Sequence, residues 1–242
     1  ITNLEEYDNR LKTKIIALGT KSAILLASHR DNAKSGLLMK TNNYGKSWQT
    51  IPLPNGLISA TNFVIANSEK TVLIDDGAAN AEIYISENIG KNWHKASKID
   101  VGKGEELQKE SLFASDNNIF IGTTKGKIFH SSDFGRSWDF EQFDTNFSVN
   151  LIHYHKDIGA MALLSNINKS YFAYLKNSDW IIDTNYEAFS MLTYPCFLSN
   201  TSNPTYFLAA GDKITLYNSE TGKWLPCPID SSDFNSLINN NY

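Results

Sequence analysis

One pair of histidines comes nearest to metal chemistry in this chain. His153 and His155 stand in the segment LIHYH, and their i, i+2 spacing places both side chains on one face of a β-strand. Two ligands do not hold a metal ion, so a third group such as His130 or Asp133 has to approach them. Histidines spaced in this way more often line a polar channel and bind water. The sequence therefore predicts no metal and no cofactor, with His153 and His155 as weak metal candidates.

Acidic residues in positions suited to hydrolysis are sparse. Glycoside hydrolysis uses two carboxyl groups held at a separation set by the mechanism. Glu110 and Glu187 lie only at the edges of predicted inner strands. Asp75 and Asp76 are adjacent, so a strand turns them to opposite faces. We therefore expect a protein without enzymatic activity.

The tryptophans define the elements that position these residues. Trp48, Trp93, Trp138, Trp180 and Trp224 are the only five, and they follow one another at intervals of 45, 45, 42 and 44 residues. A fixed period in the forties in a chain rich in β-branched and aromatic residues is typical of propellers, with one four-stranded blade per period. The sequence thus predicts an all-β, five-bladed β-propeller with four-stranded antiparallel blades.

Three of the repeats share the pattern Ser/Thr-x-Asn/Asp-x-Gly-x-x-Trp between the third and fourth strands. An Asn or Asp side chain accepts hydrogen bonds from backbone N–H groups just ahead of it, and glycine permits a positive φ. We interpret these residues as structural. They are Thr41, Asn43, Gly45 and Trp48; Ser86, Asn88, Gly90 and Trp93; and Ser131, Asp133, Gly135 and Trp138.

The pattern resembles the Asp-box, or BNR repeat, of sialidases, sortilin-type receptors, some glycoside hydrolases and Ycf48-type photosystem assembly factors. The third repeat matches fully, the first two carry Asn at the Asp position, and the fourth and fifth are degenerate. The resemblance implies that the boxes lie on the face away from a functional site. The resemblance also implies what a sialidase would need, namely three arginines that bind the substrate carboxylate and an F/Y-R-I-P motif. The chain lacks that motif and has only Arg10, Arg30 and Arg136.

We expect one domain over residues 1–242. The predicted blades span roughly 10–54, 55–99, 109–144, 147–184 and 187–230, and the tail 231–242 is predicted to close the ring. The segment Gly104–Ser111 is the one candidate for a helical turn. Cys196 and Cys227 leave both a disulfide and free thiols open, but their predicted strands lie two neighbours apart, which favours free thiols.

Charge and hydropathy exclude two classes of partner. The net charge is −4, from 26 acidic and 22 basic residues. A weakly acidic chain so poor in arginine is not expected to bind nucleic acid. No apolar run approaches the roughly 18 residues that span a membrane, so no membrane insertion is expected. The chain begins at Ile1, which fits a removed signal peptide. Together with the Asp-box resemblance, this favours a periplasmic or secreted protein.

Function is expected on the propeller face opposite the boxes, because binding residues concentrate on loops held by a rigid scaffold. We interpret the chain as a non-catalytic scaffold that recognises a protein partner, as an assembly factor, an inhibitor or immunity-type protein, or a receptor-like module does. The alternative is a carbohydrate-binding or glycoside-hydrolase-like propeller, for which Phe147, Tyr186 and Phe234 are the aromatic hints. The candidate partner-binding residues are His29, Arg30, Asp31, Lys34, Asp75, Asp76, Lys103, Glu105, Glu106 and Lys125.

Overall fold

Every regular element of the described chain is a β-strand, as the sequence predicts. The structure, a computed structural model, describes residues 14–28, 36–54, 57, 60–67, 69–75, 82–155, 159–176, 179–188, 196–199, 205–210, 213–218 and 223–226. Over these residues the strands form five four-stranded sheets, and in each sheet consecutive strands pair antiparallel. The all-β class and the four-stranded antiparallel sheets are thereby confirmed.

The sheets follow one another along the chain. Sheet 1 contains β1 (Lys14–Ala17), β2 (Ala23–Ser28), β3 (Gly36–Thr41) and β4 (Gln49–Ile51). Sheet 2 contains β5 (Ala60–Ile65), β6 (Thr71–Asp75), β7 (Glu82–Ser86) and β8 (His94–Lys95). Sheet 3 contains β9 (Leu107–Ser115), β10 (Asn118–Thr123), β11 (Lys127–Ser131) and β12 (Asp139–Gln142). Sheet 4 contains β13 (Ser148–His155), β14 (Gly159–Ser165), β15 (Ser170–Lys176) and β16 (Asp179–Ala188). Sheet 5 contains β17 (Cys196–Ser199), β18 (Thr205–Ala210), β19 (Lys213–Asn218) and β20 (Lys223–Pro226).

The start of sheet 3 differs from the sequence prediction. The predicted helical turn at Gly104–Ser111 is wrong, because β9 begins at Leu107 and pairs with β10 from Leu107 opposite Thr123. The register shifts at an irregularity between Phe120 and Gly122, where the partner on β9 moves from Phe113 to Gln108. Glu110 consequently lies in the interior of strand β9 and not at the end of a strand.

The chain divides into two compact units, residues 1–145 and 146–242. In the first unit, Leu38 of sheet 1 and Phe63 of sheet 2 are fully buried in one shared cluster. Ile85 and Phe134 belong to a second cluster that joins sheets 2 and 3. In the second unit, the core of sheet 4 includes Phe172, which is also fully buried. The single domain over 1–242 stays a prediction, and the tail 231–242 and Cys227 lie outside the described residues.

Three turns of the first unit, which we call turn 1 (41–48), turn 2 (86–93) and turn 3 (131–138), have one hydrogen-bonding scheme. In turn 3 the Ser131 hydroxyl donates to Asp133 Oδ1 (2.8 Å) and accepts from the Gly135 N–H (2.7 Å). The same Asp133 oxygen accepts from the N–H of Arg136 (3.0 Å) and of Ser137 (2.9 Å). The Ser137 hydroxyl, the backbone N–H groups and the Ser131 hydroxyl together hold the pKa of Asp133 below its ordinary value.

The other two turns repeat this scheme with asparagine in place of aspartate. Asn43 accepts from the Thr41 hydroxyl at 3.0 Å and from the Ser47 N–H at 2.9 Å. Asn88 accepts from the Ser86 hydroxyl at 3.1 Å and from the Asn92 N–H at 2.8 Å. The glycines of all three turns have positive φ, and so do the residues just before them, namely Tyr44, Ile89 and Phe134. Each turn therefore requires two left-handed residues in a row, of which only the glycine is evident from the sequence.

Candidate functional site

The loop of residues 98–106 and the hairpin of residues 124–126 lie on the predicted binding face, and the structure describes both in full. We call them together the sheet 3 platform. Strand β11 begins at Lys127, beside the hairpin, and ends at Ser131, where turn 3 starts. The platform and turn 3 therefore lie at opposite ends of the same strand.

An ion pair fastens the loop to the sheet. Glu105 Oε2 accepts from Lys127 Nζ at 2.7 Å, and their side chains are 5% and 17% exposed. The Thr123 hydroxyl donates to the other carboxylate oxygen at 2.5 Å, and Lys127 Nζ also donates to the Val101 carbonyl at 3.0 Å. Both charges are thus paired and hydrogen-bonded, which is the condition under which buried charges are tolerated. The loop is thus held to the sheet at Val101 and at Glu105.

Backbone bonds join the loop to the hairpin as well. The Thr124 N–H donates to the Glu106 carbonyl at 2.9 Å, and the Glu106 N–H donates to the Thr124 hydroxyl at 3.1 Å. Gly102 and Gly104 have φ values of 84° and 68°, a conformation that glycine adopts without steric cost. These bonds give the platform a fixed backbone, and a fixed backbone reduces the entropy lost when a partner binds.

The exposed side chains of the platform have mixed charge. Lys103 and Glu106 are exposed and Lys125 is half-buried, while the predicted contact residue Glu105 is buried in the ion pair. The prediction treated Glu105 as a surface residue because a charged loop usually faces water, and its partner Lys127 could not be identified from the sequence. Binding roles for Lys103, Glu106 and Lys125 stay predictions.

An aromatic residue that the sequence analysis did not select lies beside the platform. Phe140 on β12 is 58% exposed, and Lys127 Nζ lies 5.6 Å from the centroid of its ring. Its ring also packs on Phe129 at 5.5 Å between centroids. Exposed aromatic side chains are enriched at the centres of protein interfaces. The signal available in the sequence was a phenylalanine on a strand flanked by Asp139 and Glu141.

The remaining predicted contact residues are placed only in part. Asp75 is the last residue of β6. His29, Arg30, Asp31, Lys34 and Asp76 lie outside the described residues. Their roles stay predictions.

A polar chain links the first strands of the three sheets in the first unit. Lys14 Nζ on β1 donates to Asn62 Oδ1 on β5 at 2.8 Å. Asn62 Nδ2 donates to the Lys109 carbonyl on β9 at 2.6 Å. Burial lowers the pKa of Lys14, and the charge of Glu110 opposes that shift. Asn62 is 4% exposed, and its side chain thus joins neighbouring sheets by hydrogen bonds within the protein interior.

A groove of about 780 Å³ lies on the opposite side, between β4 and turn 2. Its lining includes Lys40 and Lys91, Glu69 and Glu87, and the amides of Asn42, Gln49 and Asn88. The lining also includes Ile51, Pro52 and Ile89, and its two lysines and two glutamates balance in charge.

The candidate metal-binding histidines lie on two different strands, His130 on β11 and the other two on β13. His153 and His155 lie on β13, opposite Met161 and Gly159. His130 Nε2 lies 3.0 Å from Asn118 Oδ1, and the ring stacks on Phe120 at 4.2 Å. Burial lowers the pKa of His130. His130 and Asp133 are engaged within sheet 3, and the described residues contain no group of three metal-ligating side chains.

The described part of the chain contains no helix long and apolar enough to cross a membrane.

Comparison with known proteins gives a fold but no family. No protein-family model and no curated protein matches the chain. A structure of YCF48 bound to D1 peptide is similar with a TM-score of 0.56 and 13% identity, covering 90% of this chain and 72% of that one. YCF48 from Cyanidioschyzon merolae is similar with a TM-score of 0.56 and 12% identity, covering 88% and 70%.

A GH74 xyloglucanase from Xanthomonas campestris gives a TM-score of 0.59 at 13% identity. It matches 85% of this chain, which spans only 36% of the length of that enzyme. At such low identities the likeness shows the fold alone. The fold is of the β-propeller type, as the tryptophan period predicts.

Proposed function

We propose that this chain is a non-catalytic, extracytoplasmic β-propeller of five blades that binds a protein partner through the sheet 3 platform. The five four-stranded sheets of the described residues and the five regularly spaced tryptophans support five blades. The hydrogen bonds of turns 1 to 3 support their assignment as Asp-box turns. The role as a partner-binding scaffold, such as an assembly factor, an inhibitor or immunity-type protein, or a receptor-like module, belongs to this proposal.

The observation that carries the proposal is the ion pair between Glu105 and Lys127. It fixes a loop that would otherwise be a solvated connection, and it leaves Lys103 and Glu106 exposed on a rigid backbone. Charged groups at a rim steer association and set specificity. Phe140 supplies an apolar contact beside them. The similarity to a YCF48 that was solved with a peptide supports a protein as the class of ligand.

Glycoside hydrolysis is the alternative, which the similarity to GH74 enzymes favours. Two observations weigh against it. Among the described residues of β1, β5, β9, β13 and β17, Glu110 is the sole carboxylate, whereas the reaction needs two. The groove of about 780 Å³ is lined by Glu69 and Glu87, but also by two lysines, and lies on the side of the turns. Glycan binding without cleavage in that groove would be distinguished by isothermal titration with xyloglucan oligosaccharides.

Photo-crosslinking tests the proposal. A photoreactive amino acid is placed at Lys103 in the full chain, expressed in the native host, and a matched control carries it at Asn92 in turn 2. We expect one protein to be crosslinked from position 103 and not from position 92. Equal capture from both positions, or capture from position 92 alone, would assign binding to the side of the turns and overturn the proposal.

A further inference from the structure

Turn 3 is closed against the segment that precedes it by a residue that donates two hydrogen bonds. The Ser97 N–H donates to the Gly135 carbonyl at 2.8 Å, and the Ser97 hydroxyl donates to the Arg136 carbonyl. The indole of Trp138 donates in the opposite direction, to the Ser97 carbonyl at 3.1 Å. Ser97 is thus both a donor and an acceptor for this turn.

Proline stands at the equivalent position for turn 2. Trp93 Nε1 donates to the Pro52 carbonyl at 2.7 Å, which lies 41 residues earlier in the chain. The same separation joins Trp138 to Ser97. Proline has no backbone N–H and no hydroxyl group, so Pro52 accepts from the indole but donates nothing in return.

Two carbonyl groups of turn 2 are consequently left without a donor. They belong to Gly90 and Lys91, and no group of the described residues donates to either of them. Gly90 is buried, and a buried carbonyl without a donor costs free energy unless water or a ligand reaches it. The segments that the repeat brings to this junction, 40–54 and 82–97, are described in full. The missing donors are therefore a property of Pro52 itself.

The groove of about 780 Å³ between β4 and turn 2 opens at this junction. Pro52, Gly90 and Lys91 all belong to its lining. Its volume falls within the range of about 300–1,000 Å³ that small-molecule sites occupy. A groove thus lies where proline removes the two bonds that close the neighbouring junction.

The rest of the lining supplies both donors and acceptors. Its charges balance, with ammonium groups from Lys40 and Lys91 and carboxylates from Glu69 and Glu87. Amide side chains that donate and accept come from Asn42, Gln49 and Asn88. A lining with balanced charge is complementary to a neutral ligand whose polar groups also donate and accept.

We propose that this groove binds a neutral oligosaccharide, with two neighbouring hydroxyl groups of one sugar ring donating to the carbonyls of Gly90 and Lys91. Each sugar hydroxyl also accepts, which suits the lysines and amides of the lining. The C–H face of the ring packs on Pro52 and Ile89, which line the same groove. The sugar is bound and not cleaved. This site is additional to the sheet 3 platform and does not depend on it.

A proline substitution tests whether the groove is the site. A glycan array carrying neutral and acidic oligosaccharides is probed with the full chain, and calorimetric titration measures the affinity for the neutral ligand that it selects. Pro52→Ser introduces the two donors that Ser97 supplies at the next junction. It should close the groove and weaken the affinity about tenfold or more. The amide introduced at position 52 should exchange its hydrogen as slowly as that of Ser97.

Two lysines form a matched pair for the lining. Lys40→Ala removes a donor of the groove and should weaken the affinity about fivefold or more. Lys46→Ala alters an exposed lysine of turn 1 outside the lining and should change the affinity less than about twofold. Thermal melting establishes that each variant is folded.

Four results would overturn the proposal. The first is an array on which no neutral oligosaccharide is bound, including one that shows acidic ligands alone. The second is an unchanged affinity in Pro52→Ser, and the third is fast exchange of its new amide, which would mean that proline does not open the groove. The fourth is an equal loss in Lys40→Ala and Lys46→Ala. Charge reversal of Lys103 and Lys125 should leave sugar binding intact, so that this proposal and the function of the platform fail separately.

Discussion

The indole N–H of Trp138 donates to the carbonyl of Ser97, 41 residues earlier in the chain. Ser97 in turn donates its own N–H to the Gly135 carbonyl at 2.8 Å, and its hydroxyl donates to the Arg136 carbonyl. Ser97, which follows sheet 2 in the chain, thus forms hydrogen bonds with three residues of turn 3. The tryptophan period visible in the sequence is, in this structure, the period of contacts between neighbouring sheets.

Replacement of Trp138 tests the strength of this contact. Trp138→Ala removes both the apolar packing against the cluster of sheets 2 and 3 and the bond to Ser97, and it should cost about 3 kcal/mol of unfolding free energy. Trp138→Phe removes chiefly the bond and should cost about 1 kcal/mol. Trp48→Phe is the control, since its indole has no acceptor among the described residues, and it should cost less than about 0.5 kcal/mol. Urea denaturation measures all three. Equal losses for Trp48→Phe and Trp138→Phe would contradict the difference between turns 1 and 3.

A matched pair of glycine substitutions separates backbone strain from packing. Gly45 and Gly90 have nearly the same φ, 77° and 75°. Gly45→Ala should therefore cost about 1 kcal/mol, from the left-handed conformation alone. Gly90→Ala also drives a methyl group to 2.3 Å from Ile51 Cγ2, so it should cost clearly more than Gly45→Ala. Chemical denaturation of both variants measures the two losses of unfolding free energy. Equal costs would mean that sheet 1 does not lie against turn 2 as described.

The turn aspartate gives a pH dependence with a defined sign. The pKa of Asp133 is lower in the folded protein than its ordinary value. The folded state therefore binds fewer protons near and below that value, and its stability rises with pH there. The contribution of Asp133 is present above the pKa of the unfolded chain, about 3.9, and is lost as the pH falls through the folded pKa.

Asp133→Asn should remove this acid dependence while it keeps the turn, because Asn43 and Asn88 close turns 1 and 2 in the same way. Unfolding free energies between pH 7 and pH 3, compared for the two proteins, give the measurement. An acid slope that is the same in both would show that Asp133 is not the group responsible.

The buried ion pair of the platform gives a further stability prediction. Glu105→Gln keeps the shape of the side chain but leaves Lys127 without its counter-charge. Removal of one partner of a buried pair commonly costs about 3 kcal/mol or more. The exposed Glu106→Gln is the control and should be nearly neutral. A loss below about 1 kcal/mol for Glu105→Gln would mean that the loop does not depend on the pair.

This geometry also determines which change can probe the loop. Deletion of residues 102–108 would remove Glu105 and Leu107, both of which are buried. Such a deletion would destabilise sheet 3 together with any binding surface. Charge reversal of Lys103 and Lys125 alters exposed and half-buried groups and leaves the ion pair in place.

The sequence predicts most of the fold because each repeat contains a tryptophan and a glycine at recognisable positions. Trp93 and Gly90 mark the turn, and alternating apolar residues mark the strands around it. The second left-handed position was not predictable, since Ile89 is a residue that rarely adopts positive φ and is held there by its N–H bond to the Glu69 carbonyl. Long-range bonds of this kind have no local signal in the sequence.

The site was predictable in location but not in detail. The charged composition of residues 98–110 indicated a surface loop, and Lys103 and Glu106 are exposed as expected. The inward direction of Glu105 depends on Lys127, 22 residues further along, and on a strand bulge that extends β9. Sequence spacing carries neither relationship.

The central claim is that the sheet 3 platform binds a protein partner, and the affinity of the crosslinked partner tests it most directly. The measurement compares the unmodified chain with the Lys103→Glu, Lys125→Glu double variant and with the control Lys91→Glu, which alters an exposed lysine of turn 2. We predict that the double variant weakens the affinity about tenfold or more at an unchanged melting temperature, whereas the control changes it less than about twofold. Equal affinities for the double variant and the unmodified chain, or a loss confined to Lys91→Glu, would contradict the account.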